Sequence, residues 1–132
     1  MKIARPLLAL AAAFAFALPA VAQSKFPSRT VSLVVPYPAG GSNDIFARAL
    51  GKKLAEAWGQ PVIVENKPGA GGSIGAAFVS NAAPDGYTIM LLSSSFTTSA
   101  AIQPKLPFDP VKGFTPIAMV ARGPMVLTVS NG

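Results

Sequence analysis

The 132-residue chain contains no cysteine and no histidine, and charged residues make up only 12% of it. Without cysteine the chain has no disulfide framework and no lipid-modified N-terminal cysteine, so its stability must come from packing. Without histidine it cannot build a Ser-His-Asp or Cys-His nucleophile or a histidine-ligated metal site. We therefore expect no catalytic residue, no metal and no cofactor.

Long hydrophobic runs are also missing. The apolar run of residues 7–18 is too short to span a hydrocarbon core about 30 Å thick. It follows two basic residues and precedes the small-x-small pattern of residues 20–22. This arrangement is typical of a cleavable signal peptide over residues 1–22, so we expect a periplasmic protein whose mature chain begins near Gln23.

Basic residues exceed acidic ones, but they form no block longer than two. Removing the leader lowers the formal charge from +6 to about +4, because Lys2 and Arg5 leave with it. The pair Lys52 and Lys53 favours a solvated helix face over a nucleic-acid patch. We expect no nucleic-acid partner.

The mature chain, residues 23–132, has the length of one domain and begins with a βαβαβ pattern. Right-handed crossovers would place two helices against a parallel sheet whose first strand is central. In the first helix, Phe46, Leu50, Leu54 and Trp58 form one apolar stripe. The predicted elements are strands at 30–35, 61–65 and 87–92, a helix capped by Ser42 or Asn43 and stopped by Gly59, and a helix at 74–81.

The pattern weakens after Leu92. Residues 93–101 could be a loop followed by the start of a helix, and residues 106–114 are a connection rich in proline. Apolar runs at 116–120 and 125–129 predict two further strands. Because the sequence stops directly after a strand with no closing helix, we expect it to be incomplete.

Three loops rich in glycine or hydroxyl residues, 37–44, 66–73 and 93–99, follow the predicted strands. Ligands of open parallel sheets bind at this edge. Gly40 and Gly41 allow close approach to amides that precede a helix N-terminus, which suits a carboxylate or phosphate. A tight strand-to-helix connection without a ligand is the alternative.

Individual residues of these loops leave further alternatives. Asp44 could stabilise the helix N-terminus or select ligands that carry a hydroxyl, amine or amide. Tyr37 could supply an aromatic wall and a hydroxyl donor, or only pack. The GxGxxxG spacing of residues 69–75 departs from the dinucleotide fingerprint. The hydroxyls of residues 93–99 could donate to ligand oxygens or be merely solvated, and are poor nucleophiles without a base.

Several segments together resemble the substrate-binding proteins of tripartite tricarboxylate transporters, the TctC or Bug proteins. The resemblance runs from Phe26 to about Gly132, in the order and at about the spacing of the family. Its segments are FPSRTVSLVVPYPAGGSNDIFARAL, GQPVIVENKPGAGGSIGAA, AAPDGYTIML and LPFDPVKGFTPIAMVA.

The resemblance implies a periplasmic-binding-protein type II-like α/β fold, with a mostly parallel sheet flanked by helices and only about the first of two domains present. It also implies a monomer that takes a small organic acid through backbone amides and hydroxyls and delivers it to membrane transporter subunits. The implied ligand residues are Tyr37, Ala39, Gly40, Gly41, Ser42, Asp44, Gly71, Gly72, Ser73, Ser94, Ser95 and Thr97.

Two other functions remain to be compared with solute capture. A secreted hydrolase would use Ser42 or Ser94, but this chain offers no base partner. A sensory receptor subunit would share the same ligand site and differ only in its partner. Because no reacting group is evident, we expect a binding protein rather than an enzyme.

The leader generates the first prediction. Intact-mass and N-terminal analysis of the protein from a periplasmic extract should give a chain that begins near Gln23 and lacks residues 1–22. A chain that retains Met1 in that fraction would contradict the signal-peptide interpretation.

Overall fold

A computed structural model describes residues 25–103, 105–123 and 130. None of the helices in these ranges has the length and apolar character needed to cross a bilayer. The elements are β1 (Val31–Val35), α1 (Ser42–Trp58), β2 (Val62–Asn66), a 3-10 turn (Ala70–Gly72), α2 (Ser73–Ser80), β3 (Thr88–Met90) and α3 (Ser95–Ile102).

The three strands form a parallel sheet in the order β2-β1-β3, which confirms the predicted α/β class and the central position of the first strand. Val31 lies opposite Val62 of β2, and Ser32 lies opposite Thr88 of β3. The apolar side chains of β1 are at most 1% exposed. A strand buried on both faces is expected to be continuously apolar, as this one is.

The helices α1 and α2 pack on opposite faces of β1. Leu33 and Val35 pack with Ala47 of α1, whereas Pro36 meets Gly75 of α2. Because successive side chains of an extended chain point to opposite faces, these contacts place one helix on each side of the sheet. This is the start of a doubly wound domain.

The predicted stripe of α1 is wrong at its first position, because Phe46 is 53% exposed. The residues of α1 buried against the sheet are Asp44, Ala47 and Gly51. A Cβ atom at Gly51 would lie only 3.5 Å from a methyl carbon of Val62, so α1 approaches β2 closely along its small residues. The face of α1 that packs on the sheet is therefore the one whose small residues allow the closest approach, and not the one with the largest apolar side chains.

The ends of α1 are partly as predicted. Gly59 ends the helix in the left-handed conformation, with φ of 68°. The predicted cap is wrong: Gly41 is the N-cap residue, and no side chain caps the N-terminus. Ser42 and Asn43 instead lie inside the first turn.

The region after β3 differs more from the prediction. Ser95–Ile102 is the helix α3, so most of the predicted third loop is helical. The predicted strand at 116–120 is wrong, since these residues form no strand and Ile117 is 79% exposed. The predicted strand at 125–129 lies outside the described residues.

The segment of residues 105–114 is an irregular connection, as predicted, but it is anchored. Phe108 and Phe114 pack with Phe96 of α3, with ring centroids 5.5 to 6.2 Å apart. Asp109 accepts hydrogen bonds from the amides of Val111 and Lys112. Phe96 itself is buried, which joins α3 to this segment.

Two helical glycines give a matched prediction. A Cβ at Gly75 would lie 2.7 Å from Cβ of Pro36 and 2.9 Å from the carbonyl oxygen of Lys67. Gly75→Ala should therefore destabilise the protein by about 1–3 kcal/mol through overpacking. Gly51→Ala should be neutral or stabilising by up to about 1 kcal/mol, because its Cβ makes ordinary contacts and alanine favours helix.

Urea unfolding followed by circular dichroism measures both variants. Equal unfolding midpoints for Gly75→Ala and the parent chain would contradict the close contact of α2 with Pro36.

Candidate functional site

Three connections leave the same edge of the sheet because all three strands are parallel. They are residues 36–41 after β1, residues 67–72 after β2 and residues 91–94 after β3. The Lys67 amide donates to the Val35 carbonyl at 2.9 Å, and the Leu91 amide donates to the Val34 carbonyl at 3.0 Å. The connections therefore start side by side, as predicted for a ligand site at this edge.

The Asp44 carboxylate accepts three hydrogen bonds at this edge. Its side chain is 5% exposed, and its Oδ2 accepts from the Gly40 amide and from Arg48 Nε, both at 2.9 Å. Its Oδ1 accepts from Asn66 Nδ2 at 3.0 Å. We call Gly40, Asp44, Arg48 and Asn66 the aspartate clamp.

The aspartate clamp joins three parts of the chain. Asn66, the last residue of β2, also donates to the Tyr37 carbonyl at 3.2 Å, and Arg48 Nη2 donates to Asn66 Oδ1 at 3.2 Å. Burying a carboxylate is costly unless it is paired and hydrogen-bonded, and here it is both. The clamp fixes the first connection against α1 and the end of β2.

The clamp gives Asp44 a structural role, and its predicted role towards a ligand stays a prediction. Its carboxylate is directed at donors of the chain itself rather than at the solvent, so it organises the first connection. The Arg48 guanidinium, followed by the amide of Gly40 and the side chain of Asn66, lowers the pKa of the Asp44 carboxyl to about 2. Its charge is balanced by Arg48, so its repulsion of a nearby anion is largely offset.

The amides proposed to hold an anion are not equivalent. The Gly40 amide, at φ of 82°, is engaged by Asp44. The Gly41 carbonyl accepts from the Ile45 amide, which closes the first helical turn. Gly41 and Ser42 are exposed, and no side chain caps the amides of this turn. The candidate anion donors are therefore the first amides of α1.

The first and third connections meet through hydroxyl groups. Ser93 Oγ donates to the Tyr37 hydroxyl at 3.0 Å, and Ser95 Oγ lies 3.2 Å from the same hydroxyl. The two serine oxygens are 2.6 Å apart. We call Tyr37, Ser93 and Ser95 the hydroxyl ring. Ser94 and Thr97, also predicted as ligand residues, are exposed beside it.

The second connection is held by Gln103, which follows α3. Ser73 Oγ donates to Gln103 Oε1 at 2.9 Å, and Gln103 Nε2 donates to the Ala70 carbonyl at 3.3 Å. Gly72 is buried, whereas Gly71 is exposed. An open depression of about 400 Å³ adjoins this connection, and Ala70, Ser73 and Gln103 contribute to its lining.

Two lysines lie near the second connection, and Lys105 contributes to the lining of its depression. Lys67 pairs with Glu65 at 3.2 Å, and its Nζ lies 4.0 Å from the centroid of the Phe78 ring, so its charge is used within the fold. Among the described residues, no group of three acidic residues could hold a metal ion.

The structure thus brings Tyr37 and Ser95 into contact and places Ala39 to Ser42 on the exposed rim of the first connection. Sequence reasoning missed three residues that shape this edge: Arg48, Asn66 and Gln103. It included Ser93 only among the hydroxyls of the third loop. The spacing of Asp44 and Arg48, four residues apart on a helix, was a signal for Arg48. Asn66 and Gln103 act across long sequence separations and gave none.

The model of the tripartite tricarboxylate transporter family receptor matches residues 46–132. The chain belongs to this family. Protein BugT of Bordetella pertussis is 38% identical over 112 residues, which cover 83% of this chain and 34% of BugT. A UPF0065 protein of Cupriavidus necator is 45% identical over 111 residues, covering 80% of this chain and 32% of that protein.

Solved structures agree with this assignment. MatC from Rhodopseudomonas palustris, solved with bound malate, is 43% identical with a TM-score of 0.68, covering 72% of this chain and 33% of MatC. A periplasmic transporter structure is 43% identical with a TM-score of 0.62, covering 66% of this chain and 30% of its own. The chain therefore spans about a third of the length of these relatives.

These findings confirm the resemblance, the binding-protein fold and the expectation of a receptor family rather than an enzyme family. The receptors of this family are periplasmic, which agrees with the expected location. The signal peptide, residues 1–22, lies outside the described residues and stays a prediction. The individual ligand residues stay predictions as well.

The aspartate clamp predicts a pH dependence. Because the pKa of Asp44 lies at about 2, below its ordinary value of 3.8, its stabilisation is complete above pH 3.8. It should be lost as the pH falls from there towards 2, when the carboxyl becomes protonated. Asp44→Asn should therefore be less stable than the parent chain at pH 6, and the difference should narrow below pH 3.8.

Urea midpoints at pH 6, 4, 3 and 2 measure that difference. Asp85→Asn is the control, because Asp85 forms an exposed ion pair with Arg29 and its loss should matter little. A stability difference for Asp44→Asn that stays constant down to pH 2 would argue against the clamp.

Proposed function

We propose that this chain captures a small carboxylated metabolite as part of a periplasmic solute receptor. The ligand carboxylate would be held by the first amides of α1 and by neighbouring hydroxyls. The observation that carries the proposal is the exposed N-terminus of α1, which has no side-chain cap and lies beside an aspartate already neutralised by Arg48. The N-terminus of a helix of 17 residues attracts a negative group.

The relatives support the ligand class. MatC, the solved relative with bound malate, shares both the fold and 43% of the aligned residues. Malate carries two carboxylates, and such a ligand needs donors at the site. The edge described above offers amides and hydroxyls, and its cations Arg48 and Lys67 are paired with Asp44 and Glu65.

We further propose that residues 23–132 form the first domain of a two-domain receptor. In this arrangement the α/β unit supplies one wall of a cleft, and a second domain of the kind that completes the relatives supplies the other. The loaded receptor would deliver its ligand to membrane subunits of a tripartite tricarboxylate transporter. A sensory receptor would use the same site, and co-purification with transporter membrane subunits would distinguish the two.

A pair of variants at Ser42 tests the role of the amides. Ser42→Pro removes the amide hydrogen at the first helical position, where proline is well tolerated. The extended conformation of Gly41, with φ of −75° and ψ of 169°, also suits a residue that precedes proline. Ser42→Ala removes only the hydroxyl and keeps the amide.

Isothermal titration with malate, succinate and citrate gives the readout. Ser42→Pro should weaken binding roughly tenfold or more, the effect of one hydrogen bond to a charged group, and Ser42→Ala should weaken it less. Thermal unfolding without ligand checks that both variants fold. Unchanged affinity in Ser42→Pro would contradict amide capture, and no binding of any carboxylate by the parent chain would contradict the proposed function.

A further inference from the structure

The hydroxyl ring closes on itself. Its three oxygen–oxygen distances are 2.6, 3.0 and 3.2 Å, and all lie within hydrogen-bond range. The Ser93 amide also points to the Tyr37 oxygen, at 3.4 Å. The ring therefore bridges the first and third connections at the edge proposed to bind ligand.

The number of hydroxyl hydrogens decides which hydrogen bonds the hydroxyl ring can form with a ligand. Each hydroxyl has one hydrogen to donate and two lone pairs to accept with. Three hydroxyls in a closed ring spend all three hydrogens on each other, whichever way round the bonds run. Ser93 donates to Tyr37, so the consistent direction continues from Tyr37 to Ser95 and from Ser95 back to Ser93.

The groups left over are acceptors. The Tyr37 oxygen accepts from both the hydroxyl and the amide of Ser93, so its lone pairs are used. Ser93 and Ser95 each keep one lone pair, and Ser95 is exposed. A carboxylate, which carries no hydrogen at neutral pH, gains nothing from these lone pairs. A ligand hydroxyl or ammonium group can donate to them.

We propose that the hydroxyl ring is a specificity element which selects carboxylates bearing a hydrogen-bond donor, a hydroxyl or an ammonium, over those without one. The inference rests on the proposed function, because the carboxylate itself is held at the start of α1. Tyr37 acts as a positioning residue. Its hydroxyl oxygen accepts the Ser93 hydrogen, so the hydroxyl ring presents acceptors rather than donors to a ligand.

Three probes of equal chain length isolate this effect: L-malate, L-aspartate and succinate. Malate carries a hydroxyl group, aspartate carries an ammonium group, and succinate carries neither. The parent chain should bind malate about fivefold more tightly than succinate, the effect of one neutral hydrogen bond. It should bind aspartate about tenfold more tightly than succinate or better, because the ammonium group is a charged donor. The malate arm and the aspartate arm separate a hydroxyl preference from an ammonium preference.

Tyr37→Phe gives the decisive comparison. Phenylalanine keeps the aromatic side chain that packs against the core around Leu33 and Val35, but it lacks the hydroxyl oxygen. Ser93 and Ser95 then share a single hydrogen bond, which uses only one of their two hydrogens. The other hydrogen becomes available to a carboxylate. Succinate should bind as tightly as before or more tightly, and the preference for the donor-bearing probes should fall to about one. General loss of structure would instead weaken all three probes.

Tyr87→Phe is the matched control. Tyr87 is the other tyrosine of the chain, and its hydroxyl bonds to Ser28, near the opposite end of the sheet. This variant should retain the parent chain's preference for malate and aspartate over succinate.

The outcomes separate the inference from the proposed function. If the parent chain binds all three probes equally, or if Tyr37→Phe keeps the preference, the inference is wrong while carboxylate capture stands. If no probe binds, both fail together. A preference that disappears in Tyr37→Phe and persists in Tyr87→Phe supports the inference.

Discussion

The pairing of Asp44 with its donors is the constraint on which the candidate site depends. A carboxylate this deeply buried must be satisfied on both oxygens, and the chain meets that demand with a loop amide, a guanidinium and a side-chain amide from three elements. Satisfying one buried charge therefore fixes the distance between the first connection, α1 and β2. The site edge is organised before any ligand arrives, which lowers the ordering cost of binding.

The same pairing decides which groups remain for a ligand. Arg48 is committed to Asp44 and Asn66, and Lys67 is committed to Glu65 and the Phe78 ring. The amides and hydroxyls of the first and third connections are neutral and directional. A cation attracts any anion over several ångströms. An amide or hydroxyl stabilises only an acceptor atom that lies close to the direction of its N–H or O–H bond. Selectivity at such a site follows from how many donors and acceptors face the ligand, and the hydroxyl ring alters that count without adding charge.

The sequence predicted the features that depend on local pattern. Alternating strands and helices with right-handed crossovers were enough to derive the sheet order, because few other topologies satisfy both. It failed where the outcome depends on partners far away. The apolar period of α1 indicated Phe46 as a core residue, but the sheet packs against Ala47 and Gly51. The clamp joins Asp44 to Asn66, 22 residues later, and the apolar run at 116–120 forms no strand.

The failure at Phe46 and the position of the candidate site have one physical origin. Gly51 and Gly75 lie at the contacts of their helices with the sheet, on opposite faces. A Cβ at Gly51 would just touch Val62, whereas a Cβ at Gly75 would press on Pro36. Short helix-to-sheet distances draw the N-termini of α1 and α2 close to the strand ends. A bulky face on α1 would push its first turn away from β2, and Asp44 could then no longer reach Asn66. Close packing along small residues is thus what allows the clamp to form, and the clamp in turn fixes the first connection beside the N-terminus of α1.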